Sequence, residues 1–448
     1  MSSCNLTTAW QLVNSLVSIS AKNESSTSYL NSWMPGFNPT NAISNVFLFG
    51  ISSCLKDGKG TNNTAKLYNY LQKYRFISFE TLFLAIFKAM RMNKKWVLLV
   101  FLLLLAVGIH FFSVDKNRVE AVFSTQIYHQ FSQLLRFLFG WIPFSAGDIL
   151  YGFCIIWFMT GIYKLFRLIK RKQFNREKLF AACFKTIRFF FFFYIVFNAF
   201  WGINYNRIGI GEQLGITISK YSTDELKAIN LDLLARVNES KTACLQLADT
   251  TLTTAGIFSQ AVVSYHQIAN RLPYLNYQTV SVKSSVWGWL GNYLGFGGYY
   301  NPFTGEAQVN TMVPGFLQPF TTCHEIAHQL GYAKEDEANF VGYLAASNSK
   351  DPRFQYSVYL DMFMYANRNL VEADTVAAKS FASQLQPAVK ADIQTWKAFN
   401  QRHKNPVEPV INWLYGKYLQ GNEQPAGLLS YDEVTGFIIA YKKKFGRI

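Results

Sequence analysis

Two histidines and a glutamate stand in a spacing that can hold a metal ion. The segment Thr321 to Tyr343 reads TTCHEIAHQLGYAKEDEANFVGY and contains the pattern HExxH. Residues four apart share one face of a helix, so His324 and His328 can direct two imidazoles at one ion. Glu325 lies beside them, where it can act on a water molecule. The pattern predicts a zinc site with Glu325 as general base; the alternative is a pair of hydrogen-bonded core histidines.

A catalytic zinc also needs a third protein ligand and one open position for water. Gly331 ends the first helix, and a helical pattern resumes a few residues later. Lys334 occupies the position of the third metzincin histidine, but a lysine ammonium has no lone pair. The remaining candidates are Glu335, Asp336 and Glu337.

The segment after Tyr205 has mostly helical patterns, so the HExxH helix belongs to a mainly helical region. Between Pro273 and Pro319 the pattern changes to a short alternating strand and glycine-rich turns, which predicts a small sheet. Helices are predicted at about Thr223 to Leu247, Gly256 to Arg271, Phe354 to Leu370, Asp374 to Asn400, Pro409 to Leu419 and Tyr431 to Phe445.

Two further roles are expected near the metal site. An extended run just before the HExxH helix could pair with the backbone of a substrate as an edge strand, or it could be an ordinary buried strand. This run consists of Glu306, Ala307, Gln308, Val309 and Asn310. A tyrosine or histidine should stabilise the oxyanion. The candidates are Tyr299, Tyr300, Tyr332, His266 and His403.

Three apolar runs precede this region, and each is long enough to cross a membrane. They lie at about 96–112, 149–166 and 187–203. The chain therefore divides into a three-span region, 90–204, and an outer domain, 205–448. Residues 1–89 are rich in Ser, Asn and Thr and receive no assignment. Since Met90 and Met92 each precede lysines and an apolar run, one of them resembles a natural start.

The distribution of charge predicts the orientation of the spans. The net charge is +16, yet basic and acidic residues nearly balance after Tyr205, which excludes a nucleic-acid-binding protein. The segment from Lys164 to Arg188, which joins the second and third spans and includes their adjoining ends, carries nine Lys and Arg residues, against three between the first and second spans. Because Lys and Arg mark the cytoplasmic side, we expect an integral protein of the bacterial inner membrane whose C-terminal domain is periplasmic or extracellular.

Three segments carry a resemblance to a known family. HEIAHQLGYAKEDEANF, YYNPFTGEAQVN and FWGINYNR together resemble a bacterial family of predicted membrane-bound metallopeptidases classed as a domain of unknown function. The resemblance covers about Met92 to Ile448, and it implies a zincin-like site without identifying a substrate. More distantly, the chain is similar to gluzincins, in which a glutamate on a second helix is the third ligand and an Asp or Asn four residues later supports the site.

The gluzincin resemblance implies Glu335 as the third ligand and Asn339 as its support. On a helix Asn339 lies one turn beyond Glu335, whereas Glu337 lies about 200° round the axis. Only one of the two glutamates can therefore face the zinc, and Glu337 is the alternative.

These observations lead to one expected architecture and two expected functions. We expect a membrane protein with three N-terminal transmembrane helices and a mainly helical α+β zincin-like extracytoplasmic domain. The first expected function is zinc-dependent hydrolysis of peptide bonds; the alternative is a non-hydrolytic zinc-binding component of membrane assembly or sensing. The expected partners are a peptide or protein substrate and membrane lipid, without nucleic acid. The oligomeric state is left open.

Overall fold

The computed structural model describes residues 94–171, 175–425, 427 and 433–448. The unassigned segment 1–89 and both candidate start methionines lie outside these residues. The chain divides into two compact units, Met1–Val97 and Leu98–Ile448. Of the first unit, only the start of the first described helix is seen. The second unit is mostly helical and contains a small sheet.

Three of the N-terminal helices are long and apolar enough to cross a membrane. They contain the first two predicted spans entirely, but the third helix ends at Phe200, three residues earlier than predicted. Most of their side chains are exposed, as the lipid-facing residues of a membrane-anchored protein would be. The first elements are α1 (Lys94–Ser113), α2 (Lys116–Arg118), a π-helix (Val119–Ile127), α3 (Tyr128–Gly140), α4 (Ala146–Lys170) and α5 (Arg176–Phe200).

The segment between the first two spans is helical and partly buried rather than a simple loop. Val119, Phe123 and Tyr128 pack in one cluster with Trp201 and Tyr205, which follow α5. Arg207 forms a two-pronged ion pair with Glu120 of the π-helix, with nitrogen–oxygen distances of 2.7 and 3.0 Å. Residues 116–140 therefore pack against the segment that follows the predicted domain boundary near residue 205.

The remaining elements form the larger part of the second unit. A 3₁₀ helix (Gly202–Asn206) leads to α6 (Ile210–Gln213), α7 (Thr223–Leu245), α8 (Thr254–Ala269), a 3₁₀ helix (Pro273–Leu275), β1 (Val282–Ser284), α9 (Gly288–Leu294), β2 (Gly298–Asn301) and β3 (Glu306–Val309). Then follow α10 (Gln318–Gln329), α11 (Glu335–Ser347), α12 (Pro352–Ala373), α13 (Thr375–Ser383), α14 (Pro387–His403), α15 (Glu408–Gln420) and α16 (Val434–Phe445).

The predicted helices agree closely with the observed ones, with one exception. The segment Asp374 to Asn400 was predicted as a single helix but forms α13 and α14. Pro387 is the reason, because proline disfavours helical geometry in the residue before it and is well suited to the first turn of a new helix. The start of the last predicted helix, Tyr431, lies outside the described residues.

The sheet has three strands in the order β1–β3–β2, with β1 parallel and β2 antiparallel to β3. α10 packs against this sheet on one side and against α8 and α11 elsewhere. α7 packs along α12, and together these two helices contribute a large part of the apolar core. The sheet and the surrounding helices thus hold α10 at the centre of the second unit.

The second membrane helix is joined to the sheet through its N-terminus. Glu306 of β3 is fully buried, and its two carboxylate oxygens accept the backbone N–H groups of Ala146 and Gly147 at 3.1 and 2.6 Å. In return, Asp148 of α4 accepts the N–H of Val286, just after β1, at 2.5 Å. A carboxylate at a helix N-terminus satisfies otherwise free N–H groups and the helix dipole together.

We predict that Glu306→Gln destabilises the protein by about 1.5–3 kcal/mol, since a charge-assisted hydrogen bond is lost and an amide NH₂ replaces an acceptor in a dry site. Thermal unfolding of the full chain in detergent measures the change. Glu239→Gln is the control, because Glu239 pairs with Arg236 at 3.4 Å on the exposed surface and such pairs contribute about 0–1 kcal/mol. Equal unfolding temperatures for the two variants would contradict the role of Glu306.

Candidate metal centre

α10 is fixed in place by a buried glutamine at its end. The Gln329 amide donates to the carbonyl groups of Ser281 and Gly305 at 2.8 and 2.7 Å, and its oxygen accepts the Tyr277 hydroxyl at 2.7 Å. Three residues of the sheet region thereby converge on one side chain that has no exposed surface. The opposite face of α10, which carries the histidines, is held at a fixed distance from the sheet.

A tight turn brings the second helix back beside the first. Gly331 has φ +89°, a left-handed conformation that residues with a Cβ rarely adopt. α11 then passes so close to α10 that a Cβ on Gly342 would lie 3.0 Å from the backbone nitrogen of His324. The turn and this close approach together place the start of α11 opposite the HExxH face.

Three side-chain atoms from the two helices form a compact triangle. The Nε2 atoms of His324 and His328 lie 3.1 Å apart, and they lie 3.2 and 3.5 Å from Oε2 of Glu335. Zinc bonds of about 2.0–2.1 Å at tetrahedral angles would separate neighbouring donor atoms by roughly 3.3 Å. All three residues are buried. The donor set and its dimensions therefore fit one tetrahedral zinc ion.

Each candidate ligand is oriented by a further hydrogen bond. Nδ1–H of His328 donates to the Tyr332 carbonyl at 2.7 Å, which leaves the Nε2 lone pair free to bind a metal. A side-chain hydrogen bond joins Asn339 to His324. The Tyr415 hydroxyl donates to Oε1 of Glu335 at 2.7 Å and leaves Oε2 directed at the imidazoles.

The charges of the cluster depend on burial and on one another. Burial lowers the pKa of His324. Burial acts on His328 in the same direction, but the charge of Glu335 and its hydrogen bond outweigh it and raise the pKa of His328 to about 9. Burial raises the pKa of Glu335, yet the charge of His328 and hydrogen bonds from both imidazoles hold that pKa well below its usual range. The cluster therefore stabilises one added positive charge at its centre.

Glu325 lies at the edge of the cluster without joining the triangle. It is 3% exposed, and its Oε2 atom has no hydrogen-bond partner among the described residues. A Cβ on Gly298 would lie 2.7 Å from its Oε1 atom, so the glycine leaves room for the carboxylate. Burial raises the pKa of Glu325 to about 8; the charge of His328 lowers this pKa and that of Glu335 raises it, but burial is the largest effect. A cation between the ligands would oppose this increase.

The other acidic candidates point elsewhere. Glu337 lies against Gly209, where a Cβ on that glycine would collide with its Oε1 atom, and it interacts with the charge of Arg207. Asp336 accepts the backbone N–H of Glu337 at 2.9 Å. The structure thus brings Glu335, and not Glu337, to the two histidines.

The prediction of a substrate edge strand at Glu306–Asn310 is wrong. β3 is the central strand, because β1 pairs with one side of it and β2 with the other. All of its residues are buried, as the alternative of an ordinary buried strand predicted. The strand at the edge next to the metal centre is β2, which begins at Gly298 beside Glu325.

The candidate oxyanion residues have other contacts. The Tyr332 hydroxyl donates to Gln213, and the Tyr300 hydroxyl lies 3.2 Å from that of Tyr128. His266 is bonded to the Tyr277 carbonyl and His403 to the Phe399 carbonyl. Tyr299 stacks on Tyr151 of α4. Among the described residues, none of the five side chains has a hydrogen bond to the cluster; Tyr332 contacts it only through its backbone carbonyl, which accepts from His328.

The comparison with family profiles places the chain among known sequences. The profile described as "Protein of unknown function (DUF3810)" matches residues 123–439. The chain belongs to the DUF3810 family. No curated protein and no solved structure matches it. The DUF3810 match includes the second half of the π-helix, α4, α5 and both helices of the candidate metal centre.

Sequence reasoning missed three tyrosines of this DUF3810 chain. The Tyr415 hydroxyl donates a hydrogen bond to Glu335. The hydroxyl groups of Tyr418 and Tyr205 lie 3.2 Å apart, and both tyrosines interact with the charge of Glu335. Tyr205 lies in FWGINYNR, one of the segments that carried the family resemblance. Tyr415 and Tyr418 lie 80 or more residues from the ligands, and no spacing rule could have selected them among 25 tyrosines.

We predict that the purified chain binds one zinc ion and that Glu335→Ala abolishes this binding. Asn339→Ala and Tyr415→Phe should each weaken zinc affinity by roughly ten- to a hundredfold, because they remove hydrogen bonds that orient the ligands. Zinc titration against a competing chelator measures the three values. The control Glu337→Gln should leave the affinity nearly unchanged. If it alone failed to bind zinc, the assignment of the third ligand would be overturned.

Proposed function

We propose that this protein is a membrane-anchored zinc-dependent peptidase. The observation that supports the proposal is the triangle of His324, His328 and Glu335, with the unpartnered carboxylate of Glu325 beside it. A purely structural zinc site is closed by four protein ligands and has no need of a nearby free carboxylate. Three ligands with an adjacent base are instead the arrangement of catalytic sites.

Each residue has a distinct role in the proposed hydrolysis. His324, His328 and Glu335 would hold zinc, which supplies a Lewis acid that polarises a carbonyl group and acidifies a water molecule. Glu325 would accept the proton of the attacking water and deliver it to the leaving amine. Because this carboxylate lies in a dry environment, proton transfer to it is not opposed by strong hydration. The Tyr205 and Tyr418 hydroxyls, which interact with the charge of Glu335, are candidates to donate to the developing oxyanion.

An extended peptide is the substrate that fits the surroundings of Glu325. β2 has β3 on one side only in the described sheet, and its first residue lies against Glu325. An extended peptide that pairs with this edge would pass its backbone in front of the carboxylate. β2 thus replaces Glu306–Asn310 as the proposed substrate strand.

We further propose that the catalytic domain lies outside the cytoplasm, in the periplasm or the extracellular space of a bacterium. The carboxyl ends of α1 and α5 and the amino end of α4 all meet the same body of the protein. The opposite ends of α4 and α5, together with the segment that joins them, carry the nine basic residues from Lys164 to Arg188. Because Lys and Arg mark the cytoplasmic side of a membrane, those ends would lie in the cytoplasm and the candidate zinc domain on the opposite side of the membrane.

We predict that Glu325→Gln keeps its zinc and loses about 10²–10⁴-fold in hydrolysis, the usual contribution of a general base. Cleavage of a mixed peptide library by the full chain, analysed by mass spectrometry, provides the rate, and metal analysis provides the zinc content. Glu337→Gln is the matched control on the neighbouring helix. Equal rates for wild type and Glu325→Gln on a peptide that is cut would exclude the mechanism. Full zinc occupancy without cleavage of any peptide would favour the non-hydrolytic alternative.

We predict opposite compartments for reporters fused after Arg176 and after Lys350, since one span separates the two positions. A reporter active only in the cytoplasm should respond after Arg176, and one active only outside should respond after Lys350. A fusion after Lys116, which lies between the first two spans, should behave like the fusion after Lys350. The same compartment for Arg176 and Lys350 would remove the third span.

A further inference from the structure

A large cavity lies between the first and third membrane helices, outside the metal centre. Its volume is about 1100 Å³. Leu103 and Val107 of α1 face Phe190 and Phe193 of α5 across it. Since both helices are long and apolar enough to span the membrane, this part of the cavity opens toward the hydrocarbon of the bilayer.

The other end of the cavity is polar. Asn198, Tyr205 and Asn206 line it from the end of α5 and the following 3₁₀ helix, and Tyr418 and Asn422 line it from the end of α15. Amide and phenol groups there can donate and accept hydrogen bonds. The cavity is thus apolar along the spans and polar where they meet the catalytic domain, as a binding site for an amphiphilic molecule would be.

The polar end lies close to the metal centre. The Tyr418 and Tyr205 hydroxyls meet at 3.2 Å in the cavity wall. The Tyr418 ring stacks on that of Tyr415 with centroids 5.9 Å apart, and the Tyr415 hydroxyl bonds Glu335. One layer of tyrosine side chains therefore separates the cavity from the candidate zinc ligands.

A flexible hydrocarbon chain suits the apolar part of the cavity. It is thinner than a peptide helix and carries no backbone polar groups that would need partners. The apolar side chains of α1 and α5 that line this part would therefore accommodate an acyl chain.

The charges near the polar end argue against a phospholipid. Among the described residues that line the cavity there is no Lys or Arg, while Glu423 contributes a carboxylate. A phosphate head group would find only the His110 imidazole as a basic group among these lining residues, and it would be repelled by the Glu423 carboxylate. Peptide groups carry no charge and are complementary to the asparagine and tyrosine side chains.

We propose that the cavity binds the acyl chain of a lipid-modified peptide, whose peptide part enters the metal centre past Tyr205 and Tyr418. This inference rests on the proposed peptidase function and names its class of substrate. The chain would lie between α1 and α5, in continuity with the bilayer. The lipid anchor would hold the peptide at the height of His324, His328 and Glu335.

The test uses a photoreactive acyl chain and the full protein in lipid nanodiscs. A short palmitoylated peptide with a diazirine in the acyl chain is irradiated with wild type and with the Glu325→Gln variant. The labelled residues are identified by mass spectrometry. The same diazirine chain on phosphatidylglycerol forms the second arm. We expect the lipopeptide to label residues of α1 and α5 that line the cavity, and the phospholipid to label them much more weakly.

A matched pair of variants on α1 tests the position of the chain. Val107→Trp fills the cavity, whereas Leu105→Trp places the same bulk at a position of similar exposure, 40% against 42%, outside its lining. Displacing two methylene groups costs about tenfold in affinity at the usual transfer free energy of a methylene. Val107→Trp should therefore reduce labelling by at least that factor, while Leu105→Trp should not, and both should keep zinc.

Three results would overturn the inference. In the first, Val107→Trp leaves the labelling by the lipopeptide unchanged. In the second, phosphatidylglycerol labels the cavity as strongly as the lipopeptide does. In the third, cross-links form between two copies of α1 or α5 at the cavity, which would identify a second protein molecule as its occupant. Labelling of the expected pattern in a protein that cuts no peptide would contradict the peptidase but support the acyl-chain site. Cleavage of peptides without labelling of the cavity would support the peptidase and contradict the acyl-chain site.

Discussion

The last turn of α10 ends inside the protein, so its free carbonyl groups must find donors there. Helix ends leave such groups without partners within the helix, and an unmet buried carbonyl is costly. Here the donors come from segments next to the membrane spans. The Trp201 indole N–H reaches the His328 carbonyl, the Tyr128 hydroxyl reaches that of Gln329, and Arg207 reaches that of Leu330, at 3.3, 3.1 and 3.0 Å. The position of the metal ligands thus depends on the membrane-proximal part of the chain.

The second constraint is the burial of several carboxylates around one small volume. Glu325, Glu335 and Glu337 are each no more than 8% exposed. Glu337 is compensated in part by the charge of Arg207, and Glu335 by the imidazoles. Glu325 is favoured in its ionised form by the charge of His328, but burial outweighs this effect and Glu335 opposes its ionisation, so its pKa stays raised. A divalent cation would offset the charges of Glu325 and Glu335 at once. It would account for an arrangement of charges that is otherwise unfavourable in a dry interior.

Much of this could be predicted from the sequence because it depends on local periodicity. The HExxH spacing, the one-turn relation of Glu335 to Asn339 and the long apolar runs are all local patterns. The buried helices at 116–140 were missed, because a polar stretch between two spans gives no sign of tertiary packing. The order of the strands was also missed: β3 becomes central only through a parallel pairing with β1, which is a non-local contact that strand propensity does not contain.

The connections between the long apolar helices and the candidate metal centre are short, which would limit how a substrate reaches the site. α4 begins in hydrogen bonds with Glu306 of the central strand, and Trp201, which directly follows α5, has its ring 5.9 Å from that of His328. Neither helix is separated from the candidate metal centre by a long linker. With these helices in a membrane, as we propose, the metal centre would be held close to the membrane surface. Under the proposed function, that placement would favour substrates that are themselves attached to the membrane, since a freely diffusing peptide would gain nothing from it.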